Sequence, residues 1–349
     1  MRILITGGAG FIGTNVTLSA IQRGHTVLNV DCLSYAGSLT NLVSIEKHPR
    51  YSFEQTDIRD QDKMHKIFEN FQPEYIFHLA AESHVDRSID SAFTVLSTNI
   101  MGTCTLLDEF TKYWVKKGCP DDIIFHHIST DEVFGSVKNN IRFNEDTKYD
   151  PLNPYSVSKA SSDHLVRAWI NTHDIPAIIT NCSNNYGPYQ FPEKLIPLTI
   201  TYALMNKKIP IYGDGKQIRD WIYVDDHVDA LFLVMEKGKA GETYMIGSDN
   251  ECYNIDIVKN ICSILDEKLP SNKSYDTLIE YVSDRPGHDR RYAIDASKIS
   301  NDLLWNPQVE ILQGLEKTVN WYLENKEWTS TILNEHQSNI RPGRGYRNN

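Results

Sequence analysis

Tyr155 and Lys159 stand four residues apart in PYSVSK. On a helix that spacing sets both side chains on one face. A free phenol titrates near about pH 10, too high for a base at neutral pH. A nearby ammonium favours the phenolate and lowers that value. Tyr155 then takes a proton from a substrate hydroxyl while hydride leaves the same carbon. Ser129 or Thr130 supplies the hydroxyl that completes such a site, and Thr130 is taken as its member. Asp131 and Glu132 follow at once. Like charges side by side push their pKa values apart, so one carboxyl stays protonated while the other ionises. The pair offers both the acid and the base that removal of water needs. The bland alternative is two solvated loop carboxylates.

These side chains need elements to hold them, and the first half of the chain alternates strands with helices. Apolar runs at 2–6, 26–30, 51–55, 75–80, 123–129 and 177–182 read as strands. Helical spacing fills 9–23, 60–71, 90–115 and 154–173, and Pro73 stops the second of these. In the stretch over 90–115, Phe93, Leu96, Ile100, Thr103, Leu107, Phe110 and Trp114 form one stripe. Strands separated by helices imply parallel pairing, so the expected fold class is α/β, a Rossmann-type doubly wound parallel sheet. After about residue 180 the rhythm changes, with Pro188, Pro192, Pro197 and Pro210 breaking it. A smaller C-terminal α+β substrate domain is expected there. The division reads 1–180 for the Rossmann domain and 181–335 for the substrate domain, with later segments free to return to the sheet. Residues 336–349 read as a tail, a frayed end or an arginine-bearing contact arm.

The first strand runs into TGGAGFIG, which opens a helix. That context makes the glycine pattern specific for a dinucleotide. Missing side chains let the backbone approach a pyrophosphate, and the helix start supplies N–H groups and a positive dipole end. Asp31, ending the second strand, accepts from the adenosine ribose and repels a 2′-phosphate, which selects NAD over NADP. Asp57 meets the adenine amine and Ile58 its ring face; a simple helix cap is the alternative for Asp57. Leu79, Ala80, Ala81 and Ser83 pass near the ribose-nicotinamide. The cofactor set further includes Gly7, Gly10, Phe11, Ile12, Gly13, Leu33, Ser34, Asn99 and Asn185, with Tyr155 and Lys159. The positive nicotinamide adds its field to that of Lys159 at the Tyr155 phenol.

A net charge of −11 argues against a nucleic-acid partner, which needs a basic face. An anionic small ligand needs only a few placed cations, and Lys194, Arg219, Arg285 and His288 are the candidates for a diphosphate. No apolar run reaches the roughly 18 residues of a membrane span. The N-terminus has no signal-peptide layout, so a cytoplasmic protein is expected. Six cysteines stand without metal or redox spacing and read as reduced thiols. No His/Asp/Glu cluster has ligand spacing, and no metal is expected. His126 and His127 are assigned packing roles.

Taken together the motifs resemble the extended short-chain dehydrogenase/reductase family, in its nucleotide-sugar branch. TGGAGFIG, DCLSYAG, AAESHVDRSI, STDEVFG, PYSVSK, NCSNNYGPYQFPEKLIP, GDGKQIRDWIYVDDH and DRPGHDRRYAID carry the resemblance over nearly the whole chain. Within the branch it is to the 4,6-dehydratases, which are lyases. The resemblance implies a dTDP-glucose substrate oxidised at C4 with NAD. Loss of water across C5 and C6 follows, with return of hydride to C6. NAD is regenerated in each turnover and stays bound. The product is a 4-keto-6-deoxy sugar, a precursor of deoxysugars such as rhamnose. The same resemblance makes Asp131 the acid at the C6 hydroxyl and Glu132 the base at C5. It lines the sugar-nucleotide site with Ser83, His84, Thr130, Asn184, Lys194, Leu195, Pro210, Tyr212, Arg219, Asn254, Arg285 and His288. Arg290 and Arg291 are set apart from these, since adjacent residues rarely both face one ligand, and Asp86 and Arg87 lie near the sugar end. It also implies a homodimer in which the 90–115 helix and the Tyr155 helix form a four-helix bundle. An NDP-sugar 4-epimerase or a UDP-glucuronate decarboxylase of the same fold is the alternative, and neither requires the adjacent Asp-Glu pair. A non-catalytic NAD-sensing protein would show erosion of the Tyr, Lys or carboxylate positions, and none is eroded.

Overall fold

The computed structural model describes residues 1–137, 141–284 and 287–335. The chain opens with β1 (Arg2–Thr6), α1 (Phe11–Gln22), β2 (Thr26–Asp31), β3 (Tyr51–Gln55), α2 (Gln61–Phe71) and β4 (Tyr75–His78). Two short helices, α3 (Val85–Asp90) and α4 (Ala92–Leu96), lead through a π turn over Ser97–Met101 into α5 (Gly102–Lys116). Then come β5 (Ile124–Thr130), α6 (Pro154–His173), β6 (Ala177–Cys182) and β7 (Asn184–Tyr186). The second half holds α7 (Leu195–Leu204), β8 (Ile209–Tyr212), β9 (Ile218–Tyr223), α8 (Val224–Lys237), β10 (Thr243–Ile246) and β11 (Glu251–Tyr253). It ends with α9 (Asn254–Lys268), β12 (Ile279–Val282), α10 (Ser297–Leu303), α11 (Ile311–Glu324) and α12 (Lys326–Glu335).

Seven strands pair in parallel in the order β10-β6-β5-β4-β1-β2-β3, the doubly wound α/β sheet expected. Side chains of a strand alternate between faces. On one face Ile3, Ile5 and Phe77 pack with Val16 and Ala20 of α1 and Val228 and Leu231 of α8. On the other Leu4, Ile76 and Phe125 pack with Met64 of α2, Phe110 of α5 and Val166 of α6. Burial on both sides explains the unbroken apolar run Ile3-Leu4-Ile5. Each such side chain contributes about 1.5–3 kcal/mol on burial. β10 and α8 belong to this sheet although they follow residue 181, so the chain leaves the sheet and returns to it. The remaining strands make two small sheets, β11-β9-β7 and β12-β8. Ile196, Ile211, Ile257, Ile261, Leu315 and Val319 form the core beneath them. Among the described residues no helix is long and apolar enough to cross a membrane.

The stripe expected over 90–115 is not continuous. The π turn adds a residue to one turn and shifts the phase. Phe93 is 85% exposed and Met101 56%, whereas Val95 and Asn99 are buried. Beyond the turn Leu107, Phe110 and Trp114 join the core. The turn carries Asn99 inward to the chain after β4. Asn99 Oδ1 accepts from Glu82 N (2.8 Å), and Nδ2 donates to Glu82 O (3.0 Å) and Ser158 Oγ (2.8 Å).

Local chemistry fixes the start of α6. Asn153 Oδ1 accepts from Ser156 N (2.9 Å), Ser156 Oγ accepts from Asn153 N (3.1 Å), and Pro154 takes the first turn. One turn beyond Lys159, buried Asp163 accepts from Ser129 Oγ (3.0 Å), Tyr149 Oη (2.7 Å) and Asn181 Nδ2 (3.1 Å). Its other oxygen meets His127 Nε2 at 3.1 Å. Asp163 thus binds α6 to the ends of β5 and β6. His126 is buried between Tyr75 Oη and Thr180 Oγ1, each at 3.0 Å.

Candidate active site

The carboxyl ends of the central strands open into two adjoining cavities. The glycine turn forms the floor of the first. Gly7 takes φ +75°, and a Cβ there would lie 2.6 Å from Ala80 N. A Cβ on Gly13 would lie 2.0 Å from Gly7 O. Only glycine lets these backbones approach so closely. Gly10 caps α1 with no side-chain acceptor, which leaves the helix start to an anion. A cradle that any side chain would fill, on a helix N-terminus, fits a pyrophosphate.

Along the same wall lie Phe11, Ile12, Asp31, Ser34, Asp57, Ile58, Leu79, Ala80, Ala81 and Ser83. Asp31 Oδ2 accepts from Ala9 N (3.0 Å) and Oδ1 from Leu33 N (2.8 Å). Each oxygen keeps a second lone pair for a ribose hydroxyl. The Asp57 carboxylate is held below the usual range by the Arg59 guanidinium, which sits 2.6 Å away. Leu33 and Asn99 do not line the cavity. Leu33 takes a left-handed φ of +53°, and its N–H serves Asp31. Asn99 is one layer behind, holding Glu82.

Tyr155, Lys159, Thr130, Asp131, Glu132 and Asn185 complete the first cavity. Lys159 Nζ donates to Ile128 O (2.8 Å). Burial lowers the Lys159 pKa, and the Asp163 charge opposes that. Tyr155 lines the same cavity. Burial, then Glu132, push its phenol well above its ordinary value, while Thr130 acts in the other direction. Asp131 is raised well above the carboxylate range by burial, then by Glu132 and Asp220. Its Oδ2 is buried with no hydrogen-bond partner. Burial and the neighbouring carboxylates therefore favour the protonated form of this carboxyl.

The second cavity is lined by His84, Asp86, Leu195, Pro210, Tyr212, Arg219, Asn254, His288 and Tyr292. Glu132, Asn184, Asn185, Glu193 and Lys194 line both cavities, so Glu132 stands at their junction. Buried Asn184 Oδ1 and Asn254 Oδ1 have no hydrogen-bond partner, as befits groups that await a polar ligand. Lys194 Nζ donates to Ser83 O (3.1 Å). Arg219 donates to Ile218 O and Asp289 O and lies 4.1 Å over the Tyr292 ring. His288 Nδ1 meets Asp284 at 2.7 Å. Arg285 lies outside the described residues, as does the tail over 336–349. Arg290 pairs with Asp214 and Arg291 with Glu251.

Glu193 is the main residue that sequence reasoning passed over. It is buried 3.2 Å from His84, and burial pushes its carboxyl up to about 7. In the sequence it stands beside Lys194 and reads as half of an ordinary surface pair. The turn QFPEK, whose Phe191 is buried in the core, brings it to the junction. Tyr35, Gln190, Cys182 and Tyr292 also line the cavities, and no chemistry-bearing motif singles them out.

A glycine cradle under α1, a Tyr–Lys pair on α6 and a seven-stranded parallel sheet define an extended short-chain dehydrogenase/reductase. The profile of the GDP-mannose 4,6 dehydratase family matches residues 4–318, and the chain belongs to that dehydratase family, on its dTDP-glucose 4,6-dehydratase side. It is 54% identical over 344 residues to the dTDP-glucose 4,6-dehydratase of Salmonella typhimurium, with 95% of each chain covered. It is 51% identical over 352 residues to that of Neisseria meningitidis, with 99% of each covered. The crystal structure of dTDP-glucose 4,6-dehydratase from Bacillus anthracis in complex with NAD is 43% identical, with a TM-score of 0.85. That likeness covers 95% of this chain and 99% of the other.

Proposed function

We infer that this chain is an NAD-dependent dTDP-glucose 4,6-dehydratase, which forms dTDP-4-keto-6-deoxyglucose. The observation that carries the reading is the Asp131–Glu132 pair on the wall shared with Tyr155, one carboxyl raised and buried beside the other. An epimerase needs only the Tyr–Lys pair and the hydroxyl, so this pair favours the dehydratase over the 4-epimerase and decarboxylase readings. NAD takes hydride from C4 and gives it back at C6. The glycine turn holds its pyrophosphate, Asp31 its ribose, and Asp57 and Ile58 its adenine. The residues 79–83 and Asn185 hold the nicotinamide end. Its positive ring supplies the charge that the Tyr155 phenol needs.

The chain's own residues then move protons. Tyr155, hydrogen-bonded by Thr130, removes the C4 hydroxyl proton while Lys159 holds its charge beside it. The C4 ketone acidifies the C5 hydrogen, so Glu132 suffices as base. Asp131 protonates the leaving C6 hydroxyl. Asn184, Lys194, Arg219, Asn254, Arg285 and His288 hold the diphosphate and sugar, with Pro210 and Tyr212 against the base. His84 and Ser83 lie at the sugar end. We propose the division of labour already described, 1–180 for the cofactor and 181–335 for the sugar nucleotide. We also propose a homodimer. Phe93 and Met101 are exposed and Val157 is 39% exposed on α6, which packs against α4 and the π turn; this apolar strip supports a four-helix bundle. A cytoplasmic location is supported by the six free cysteines.

Turnover of dTDP-glucose in deuterated water tests the reading. The product should carry one deuterium at C5 and none at C6, because C5 is reprotonated from solvent while hydrogen moves from C4 to C6. Unlabelled product with galactose configuration would contradict it.

A further inference from the structure

The C-terminal helices reach back to the start of the chain. Trp328 of α12 is buried, and its indole Nε1 donates to Asn41 Oδ1 at 2.8 Å, across 287 residues of sequence. Asn41 is itself buried in the crossover between β2 and β3. Its Nδ2 donates to Ala9 O (2.9 Å) and Thr14 Oγ1 (3.2 Å). Ala9 O also accepts from Ser38 N (3.1 Å), and Ala9 N donates to Asp31 (3.0 Å). A continuous chain of hydrogen bonds thus runs from α12 through the crossover to the glycine turn and the ribose carboxylate.

The same helices grip the opposite wall. Trp328 packs edge-on against Trp321, Tyr322 and Tyr189, with ring centroids 4.9, 6.1 and 6.0 Å away. Tyr322 Oη donates to Gln190 O, and Gln190 lines the first cavity. From the crossover side Tyr35 meets Phe191 edge-on at 5.9 Å. So α11 and α12 strap the two walls of the cofactor cavity together, and the only polar link from α12 to the crossover, among the hydrogen bonds of the described residues, is the Trp328 N–H.

We propose that Trp328 is a positioning residue for cofactor retention: its N–H, through Asn41, holds the crossover down on the glycine turn so that the dinucleotide stays through successive turnovers. The proposal rests on the NAD-dependent reading, in which the cofactor is regenerated and has no need to leave. Removing the donor leaves Asn41 Oδ1 buried and unpaired, a state that loosens the crossover rather than the catalytic strand ends.

The test is exchange of bound NAD in the purified holoenzyme. Trp328→Phe keeps an aromatic ring and removes the N–H. Its bound NAD should exchange with isotopically labelled NAD at least about tenfold faster than in the parent, a change of about 1.4 kcal/mol. Its kcat at saturating NAD should be unchanged, since Trp328 lies outside both cavities. Asn41→Ala should speed exchange similarly, and Trp328→Phe added to it should have no further effect. Parent-like exchange in folded Trp328→Phe protein, or independent effects of the two changes, would overturn the proposal. Parent protein that neither contains nor takes up NAD would overturn the cofactor reading instead.

Discussion

Tyr155→Phe stops the reaction before any sugar is oxidised, and turnover falls by about a thousandfold or more. A positioned acid–base group contributes about 10²–10⁴ in rate, and this one acts at the step on which all later ones depend. The phenylalanine ring fits the buried space at the head of α6, so the Asn153 and Pro154 start and the Asp163 network stay in place. The loss is therefore chemical. Rapid mixing of Tyr155→Phe protein with dTDP-glucose should give no transient absorbance of reduced nicotinamide. Retention of that transient at the parent's rate would remove Tyr155 from the role of base.

Glu132→Gln separates the second step from the first. Oxidation at C4 proceeds, because Tyr155, Thr130 and Lys159 are intact. Elimination lacks its base and slows by about 10²–10⁴. Reduced nicotinamide then accumulates and persists, where in the parent it is consumed. A secondary effect sharpens the result. Glu132 is one of the charges that raise Asp131 and Tyr155. Removing it lowers both pKa values, so oxidation should persist to lower pH in the variant than in the parent. A Glu132→Gln variant that turned over normally would assign the C5 proton to another group, with Glu193 the other carboxyl that lines both cavities.

The two variants draw on features that the sequence displayed unequally. Strand runs such as Ile3-Leu4-Ile5 are buried on both faces, and this leaves a local, readable pattern. The glycine turn is legible because sterics admit no other residue at Gly7 or Gly13. Tyr155 and Lys159 are legible because a helix converts four-residue spacing into a shared face. The π turn is not, since a single inserted residue leaves the types around it unchanged while rotating Phe93 out to solvent. Asn99 reads as a cavity residue by position, yet it serves Glu82 from behind. The Lys159 ammonium and the nicotinamide charge are together expected to lower the Tyr155 pKa, whereas burial raises it, and burial is a property of the whole fold. Glu193 and the Trp328–Asn41 link depend on contacts between distant segments, for which spacing carries no signal.

The proposed chemistry is dehydration with a cofactor that the protein keeps. Purified protein incubated with dTDP-glucose, with no NAD added, puts both halves to one test by mass spectrometry of the nucleotide sugar. Loss of one water from the sugar, continuing over many turnovers, is the predicted result. An unchanged mass, with protein that contains NAD and binds the sugar nucleotide, would contradict the account.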